Sequence, residues 1–189
     1  MQKKLLVLLA LAVGIAYTPA ALASVTIDFS GSGLSGSAVL ITTLVGGQYQ
    51  ITGISGTFSD SNYGISHAIT GLEPTSYSTT SPSTFTEPGA SPEPFDNLFY
   101  PNADAPSVTY GGITFPGGGA FDGFGLVFDA GTVKVNLFSE GAGSGYAATD
   151  WNATRQLSNG QVSVSPEPSS LFLLGTGLIG LAALGFRKA

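Results

Sequence analysis

One stretch of the chain decides the fold: SAVLITTLV at 37–45, then Gly46-Gly47, then QYQITGISGTF at 48–58. Both runs are rich in β-branched and aromatic residues, which is typical of strands. A Gly-Gly pair between two such runs favours a tight hairpin turn, because both central turn residues need a positive φ. The apolar alternation changes phase at Gly53, which predicts a β-bulge. This stretch therefore predicts an antiparallel hairpin.

The β pattern continues on both sides of the hairpin. Residues 25–29 alternate apolar and polar side chains, and further strands are predicted at 67–72, 107–115, 125–128, 133–138 and 161–164. Because no stretch between the two chain ends has the apolar periodicity of a helix, we predict an all-β fold. It is a single antiparallel β-sandwich or barrel-like domain over residues 24–165. The predicted core consists of Phe29, Leu40, Ile51, Phe58, Ile69, Phe115, Leu126, Phe128, Val135 and Leu137.

Residues 73–106 have a different composition, rich in proline, serine and threonine. Such a composition predicts a long exposed loop or disordered insertion within the β-rich domain. The segment from Phe95 to Pro101 is its one ordered-looking part, where a short docked strand is an open alternative.

The N-terminus has the three parts of a Sec-type signal peptide: two lysines, an apolar run over 5–15, and Ala21-Leu22-Ala23. We predict a signal helix in residues 1–23, cleaved between Ala23 and Ser24. Its partners are then the Sec translocon and signal peptidase. The apolar run is too short to cross ~30 Å of hydrocarbon at ~1.5 Å per residue.

The C-terminus carries a second apolar segment. Residues 171–186 are apolar throughout and are followed by Arg187 and Lys188. We predict a transmembrane helix over 171–186, flanked by residues that extend its marginal length. The two cations form a membrane stop that stays on the cytoplasmic side, so the β-rich domain lies outside.

Pro166, Glu167 and Pro168 precede this segment and complete a three-part pattern of Pro-Glu-Pro, apolar span and basic end. Residues 166–189 thereby resemble the PEP-CTERM protein-sorting segment. The tetrapeptide Ser-Pro-Glu-Pro also occurs at 91–94, but only the second copy, at 165–168, has the span and basic tail behind it. Proline fixes φ and blocks helix formation, so the motif is an extended handle for an enzyme to recognise.

The resemblance implies the route of the protein. It implies a Gram-negative host, export across the inner membrane, transient anchoring there, and recognition of Pro166, Glu167 and Pro168 by an exosortase-type membrane transpeptidase. Three short pieces, at 95–98, 125–128 and 135–137, also loosely resemble parts of other exported PEP-CTERM domains. They imply no activity.

Composition excludes several chemistries. Residues 24–165 hold eleven acidic and two basic residues, a net charge of −9, which argues against nucleic acid binding. There is no cysteine, and His67 is the only histidine, so disulfides, thiolate sites and histidine-rich metal centres are excluded. His67 is predicted to be a strand surface residue rather than a base for Ser66. We predict no enzymatic activity, no cofactor and no metal.

Some weaker patterns remain as alternatives. Carboxylate pairs drawn from Asp96, Asp104, Asp122, Asp129 and Asp150 could support glycoside hydrolysis, with Asp122 or Asp129 as the residues to test. The oxygen-rich segments at 60–64 and 102–104 could bind Ca²⁺, although turns explain them better and the EF-hand spacing fails. Trp151 with Tyr100, Tyr110 and Tyr146 could stack on sugars, although packing explains aromatics better.

The G-x-G-x-x-G match at 31–36 predicts a turn, because a strand rather than a helix follows it. We therefore predict an exported, non-enzymatic protein that reaches the cell surface or extracellular matrix, where exopolysaccharide is a further candidate partner. The alternative is a carbohydrate-binding or Ca²⁺-dependent adhesin module.

Overall fold

Eight antiparallel strands close into a barrel in the computed structural model, which describes residues 23–75, 83–85, 93–150, 152 and 155–166. The barrel strands are β1 (Ala23–Gly31), β2 (Leu34–Val45), β3 (Gln48–Asp60), β4 (Ile65–Leu72), β10 (Leu126–Ala130), β11 (Val133–Ser139), β12 (Tyr146–Asp150) and β14 (Gly160–Pro166). The sheet runs in the order β11-β10-β4-β3-β2-β1-β14-β12, and pairing between β11 and β12 closes it. The predicted transmembrane helix lies outside the described residues, as does the predicted signal helix except for Ala23, which begins β1.

Six short strands lie outside the barrel wall or extend it. They are β5 (Ser83–Phe85), β6 (Glu93–Phe95), β7 (Leu98–Phe99), β8 (Val108–Tyr110), β9 (Ile113–Phe115) and β13 (Arg155–Gln156). β7 pairs with β3, β13 pairs with β12, β5 pairs with β6, and β8 and β9 form a hairpin. All but β13 belong to the long connection between β4 and β10.

The predicted β2–β3 hairpin and its bulge are both confirmed. Gly46 and Gly47 have φ angles of 59° and 86°, the left-handed conformations that the turn requires. In the β2–β3 register Ile41 lies opposite Gly53 and Thr42 opposite Ile51, so Thr52 is the extra residue. The bulge increases the local twist, which helps the two longest strands to wrap around the barrel.

The barrel has two distinct ends, because each connection between neighbouring antiparallel strands lies at one end or the other. We call the end with the β2–β3 turn the exit end, since β1 begins there and β14 finishes there. The opposite end, which we call the closed end, carries the turns after β1, β3 and β10.

Three phenylalanines form the centre of the core. Phe29, Phe58 and Phe128 come from three different strands, with ring centroids 5.8, 6.2 and 5.6 Å apart. Every predicted core residue is buried except Phe115. That prediction is wrong because Phe115 lies in the β8–β9 hairpin outside the barrel, where its ring packs edge-on against Phe138 at 6.3 Å.

The interpretation of 73–106 as exposed is wrong for its later part. Phe95, Leu98 and Phe99 are at most 6% exposed, and β7 adds to the wall beside Tyr49 and Gln50. The open alternative of a docked strand is therefore confirmed. The apolar side chains gain enough by burial to order this part of a proline-rich segment.

Candidate functional site

The chain leaves the barrel at Pro166, the first of the predicted sorting residues. In the β1–β14 ladder Pro166 lies opposite Val25, and Val25 lies opposite Leu40 of β2. A proline at a strand end is well tolerated, because its missing N–H is not needed by a further ladder bond. The folded domain therefore extends one residue into the predicted sorting segment. Glu167, Pro168, Arg187 and Lys188 lie outside the described residues.

The predicted signal-peptidase site lies at the same end. Ala23 and Ser24 begin β1 and lie opposite Thr42 and Ile41 of β2, while Ala21 is outside the described residues. Neighbouring strands are ~4.8 Å apart, so the start of β1 and the end of β14 are side by side. The two processing sequences thus enter and leave the barrel at adjacent positions.

The hairpin beside this exit is apolar and exposed. Leu44 is 49% exposed and Ile41 43%, and Val39 and Val45 are exposed to a similar degree. No charged residue occurs from Phe29 to Ser59. This part of the exit end therefore differs from the acidic remainder of the domain.

Two predicted carboxylates, the half-buried Asp96 and the buried Asp122, lie in contact with each other. Their side chains are hydrogen-bonded to each other, and Asp122 also accepts bonds from the N–H groups of Phe124 (2.9 Å) and Gly125 (3.1 Å). Burial and the charge of Asp122 raise the pKa of Asp96 to about 8. Burial also raises the pKa of Asp122, but its two backbone donors and its hydrogen bond with Asp96 lower it. Within the pair, Asp96 is therefore the residue that keeps the proton.

The other predicted carboxylates have separate surroundings. Asp129 is 3.4 Å from Lys134 Nζ, which also pairs with Glu73, and Asp150 is 3.1 Å from the guanidinium of Arg155. Burial alone would lower the pKa of Lys134, but its bond to Glu73 and the charge of Asp129 raise it. Asp104 is exposed. Only Asp96 and Asp122 form a carboxylate pair among these five.

Asn97 fixes the segment that carries this pair. It is fully buried with a φ of 53°, its Nδ2 donates to the Glu73 carbonyl (2.8 Å), and its Oδ1 accepts from Val127 N (2.9 Å). Its own N–H donates to the Gly125 carbonyl (3.0 Å). Val127 in turn lies opposite Asn136 in the β10–β11 ladder. The pieces at 95–98, 125–128 and 135–137 are therefore brought together.

The predicted calcium segment at 60–64 is the β3–β4 turn, at the closed end of the barrel. Asp60 is fully buried, and its carboxylate accepts bonds from the Ser158 N–H (2.8 Å), the Ser158 hydroxyl (3.0 Å) and the Asn62 N–H (3.1 Å). Asn62 also donates to the Ser32 carbonyl (2.8 Å). The carboxylate thus joins the β3–β4 turn to the connection before β14, and Asn62 links both to the β1–β2 turn. At 102–104, a second turn places the Ala103 N–H on the Tyr100 carbonyl.

The remaining candidates do not assemble into a site. His67 is exposed on β4, as predicted for a strand surface residue. Tyr146 is buried against Phe121, Tyr110 packs edge-on against Phe124, and the Tyr100 hydroxyl points to Asp122. These three tyrosines have different partners, and Trp151 lies outside the described residues. The predicted turn at 31–36 is confirmed for its first part: Ser32 and Gly33 connect β1 to β2, and the strand predicted to follow begins at Leu34, inside the motif.

A cavity of about 300 Å³ lies beside the junction of β12 and β14, where Tyr146–Gly160 is the one residue pair between the strands. Sequence reasoning did not find it. Its polar groups include the Ser139 hydroxyl, which donates to the Gly118 carbonyl (2.7 Å), and the Tyr146 hydroxyl, which accepts from the Ala120 N–H (2.6 Å). Burial raises the pKa of Tyr146. The lining residues are Ala103, Gly118, Gly119, Ser139, Gly141, Ala142, Gly143, Gly145, Tyr146, Gln161 and Val162.

The cavity exists because glycines without side chains line part of its wall. A Cβ atom at Gly119 would be 2.7 Å from the Tyr146 hydroxyl, and one at Gly118 would be 2.8 Å from the Ala142 methyl group. Both distances are shorter than real Cβ contacts, so larger residues would fill or distort the cavity.

The described part of the chain shows neither a membrane-spanning helix nor a metal site. It contains no helix that is long and apolar enough to cross a membrane. Nor do its histidine, aspartate and glutamate side chains come together in any group of three that could hold a metal ion.

Comparison with known proteins identifies the C-terminal segment. Residues 166–188 match the family model described as the PEP-CTERM protein-sorting motif. No curated protein and no solved structure matches the chain. The resemblance drawn from the three-part sequence pattern is therefore confirmed. The motif implies an exported protein that is processed at the membrane and sorted by an exosortase.

Proposed function

Because residues 166–188 make this chain a PEP-CTERM protein, we propose that its barrel is a non-enzymatic passenger delivered to the cell surface or extracellular matrix. The Sec translocon and signal peptidase release the N-terminus at Ser24. The apolar run at 171–186 then holds the protein in the inner membrane while an exosortase recognises Pro166, Glu167 and Pro168.

One observation carries this proposal: the barrel's last strand finishes at the first residue of the sorting motif. Pro166 is still paired with Val25, so no linker separates the folded domain from the recognition sequence. An enzyme in the bilayer therefore meets the motif at a fixed edge of a closed domain. The barrel needs no contact with that enzyme beyond the exit of β14.

The surroundings of the carboxylates support a non-enzymatic role. Both carboxylate oxygens of Asp60 accept hydrogen bonds from backbone and hydroxyl donors at the closed end. Asp122 is 1% exposed and caps two backbone N–H groups, and neither it nor Asp96 lines the cavity. Buried carboxylates with these bonds stabilise loops, whereas a general acid must reach a substrate.

The chain offers a matched test of sorting, because Ser-Pro-Glu-Pro occurs twice. In the native host, we expect Glu167→Ala to lower the surface fraction of the protein several-fold. Glu93→Ala, in the first copy, should leave that fraction unchanged. Removal of residues 166–189 should abolish surface retention. Unchanged retention without residues 166–189 would contradict the proposal.

The glycine-lined cavity favours a second candidate, a carbohydrate-binding module for exopolysaccharide. Its volume of about 300 Å³ is at the small end of ligand pockets, and it presents hydroxyl groups of Ser139 and Tyr146. A glycan array comparing the natural chain with Ala142→Trp tests this, since Ala142 is exposed at the cavity rim. Binding that disappears in the variant supports it, and a blank array removes it.

A further inference from the structure

Four exposed apolar side chains lie on β2 near the exit end, and we call them the apolar hairpin surface: Val39, Ile41, Leu44 and Val45. Between 39% and 49% of each residue is exposed. Ile41 extends over Gly53, where a Cβ atom would be 3.3 Å from its Cδ1 atom. Val39, Ile41 and Val45 share one face of β2, and Leu44 lies on the other face, opposite Tyr49, so both faces of this end of the hairpin are apolar. Exposed apolar side chains concentrated at one strand end mark an interaction surface rather than scattered apolar residues.

The apolar hairpin surface also differs from the rest of the domain in charge. Residues 24–165 have a net charge of −9, yet no residue from Phe29 to Ser59 is charged. An acidic surface is repelled by a bilayer that contains anionic lipids, because the headgroups create a negative surface potential. The uncharged hairpin can therefore approach such a bilayer without this repulsion.

The hairpin lies close to the point where the chain leaves the barrel toward its C-terminal apolar run. Pro166, Val25 and Leu40 form one row across three strands, so Leu40 is about 10 Å from Pro166. Leu44 lies four residues further toward the exit end, about 13 Å beyond that row. The apolar run of the sorting segment begins at Leu171, at most about 17 Å from Pro166.

We propose that the apolar hairpin surface rests on the same lipid bilayer that holds the C-terminal apolar run. This inference depends on the proposed function, which supplies the membrane anchor. Once the run is inserted, the short connection from Pro166 keeps the hairpin beside the headgroups, where its apolar side chains can enter the interface. The barrel then stands with its exit end on the membrane and its closed end toward the periplasm.

The test uses a single label, which the natural absence of cysteine makes straightforward. Full-length Leu44→Cys and Ser61→Cys proteins carry an environment-sensitive fluorophore in vesicles of phosphatidylethanolamine and phosphatidylglycerol. Ser61 is an exposed turn residue at the closed end, about 40 Å from the hairpin turn along β3. Far-UV circular dichroism confirms that both labelled proteins are folded.

Flotation with the vesicles reports the anchor, and the label reports the docking. We expect both proteins to float, with blue-shifted emission and several-fold weaker iodide quenching at position 44 only. Floating protein whose position 44 is quenched as strongly as position 61 would overturn the docking while leaving the anchor intact. Protection at position 44 that grows with protein concentration in detergent would also overturn it, because a second copy would then cover the surface. Failure to float would contradict the anchor itself, and the docking with it.

Discussion

Val25 lies directly opposite Pro166, at the exit end of the β1–β14 ladder. This pair joins the first strand of the barrel to the last, and it connects the exported domain to the sorting motif. Seven residue pairs make up the ladder, whereas β14 has a single pair with β12 on its other side. The full β1–β14 ladder can therefore form only when the chain up to Pro166 is available to pair.

A matched pair of truncations tests the role of β14. Removal of residues 167–189 leaves all of the barrel strands, so we expect a cooperative thermal transition close to that of the natural domain. Removal of residues 160–189 exposes the β1 edge and uncovers apolar side chains of the core, and we expect loss of cooperative unfolding. Circular dichroism melting curves measure both. Equal melting temperatures would show that the barrel does not need β14.

The Asp96–Asp122 pair predicts that stability falls as pH rises. An unfolded aspartate has a pKa of about 3.9, whereas the folded pKa of Asp96 is about 8. Its contribution is therefore fully present below pH 4 and is lost as pH rises through about 8, at no more than about 1.4 kcal/mol per pH unit.

The variant Asp96→Asn tests this directly. Its amide can still donate to Asp122, but it cannot ionise, so we expect it to be more stable than the natural chain at pH 9 and less dependent on pH. Urea unfolding at pH 5, 7 and 9 measures the difference. Asp28→Asn, at an exposed position, is the control. An identical pH dependence in natural and Asp96→Asn protein would show that Asp96 does not hold the proton in the folded state.

Asp60 is predicted to be the most important polar side chain of the closed end. Asp60→Ala removes the acceptor of three hydrogen bonds and leaves buried donors unsatisfied, so we expect a loss of about 2–3 kcal/mol in the free energy of unfolding. Asp28→Ala should change that energy by less than about 0.5 kcal/mol. Denaturant unfolding measures both. Equal effects of the two substitutions would mean that the hydrogen bonds of Asp60 make no net contribution to the free energy of unfolding.

Gly56 is required by the close approach of β2 and β3. A Cβ atom there would be 2.1 Å from the Ser37 carbonyl oxygen, while one at Gly64 would meet nothing within 4 Å. Both residues have a positive φ. We expect Gly64→Ala to cost about 1 kcal/mol for its backbone conformation alone, and Gly56→Ala about 3 kcal/mol or more. Thermal unfolding compares them, and similar melting temperatures would contradict the argument.

The hairpin, the bulge and most of the core could be predicted because they depend on local patterns. Glycine pairs and alternating side chains act within a few residues of each other, so they are visible in the sequence. β12 was missed because Tyr146-Ala-Ala-Thr-Asp150 is short and has weak strand propensity. Its strand state comes from pairing with β11 and from the burial of Tyr146 and Ala148.

The polar clusters could not be predicted because their members are far apart in the chain. Asp60 and Ser158 are separated by 98 residues, and the whole β8–β9 hairpin lies between Asp96 and Asp122 in the sequence. Each of these side chains is also common in ordinary turns, so the sequence pattern predicts only a turn at its position. The sorting segment is the opposite case, since its three parts are contiguous and an enzyme must recognise them as sequence.

The mass of the C-terminal peptide tests the central claim most directly. Protein recovered outside cells of the native host is digested, and its last peptide is measured by mass spectrometry. We expect a terminus at or near Pro168, either free or joined to another group, because the sorting segment is recognised and removed. An intact terminus ending in Arg187-Lys188-Ala189, found only in the membrane fraction, would contradict sorting and make the protein a permanently anchored envelope protein.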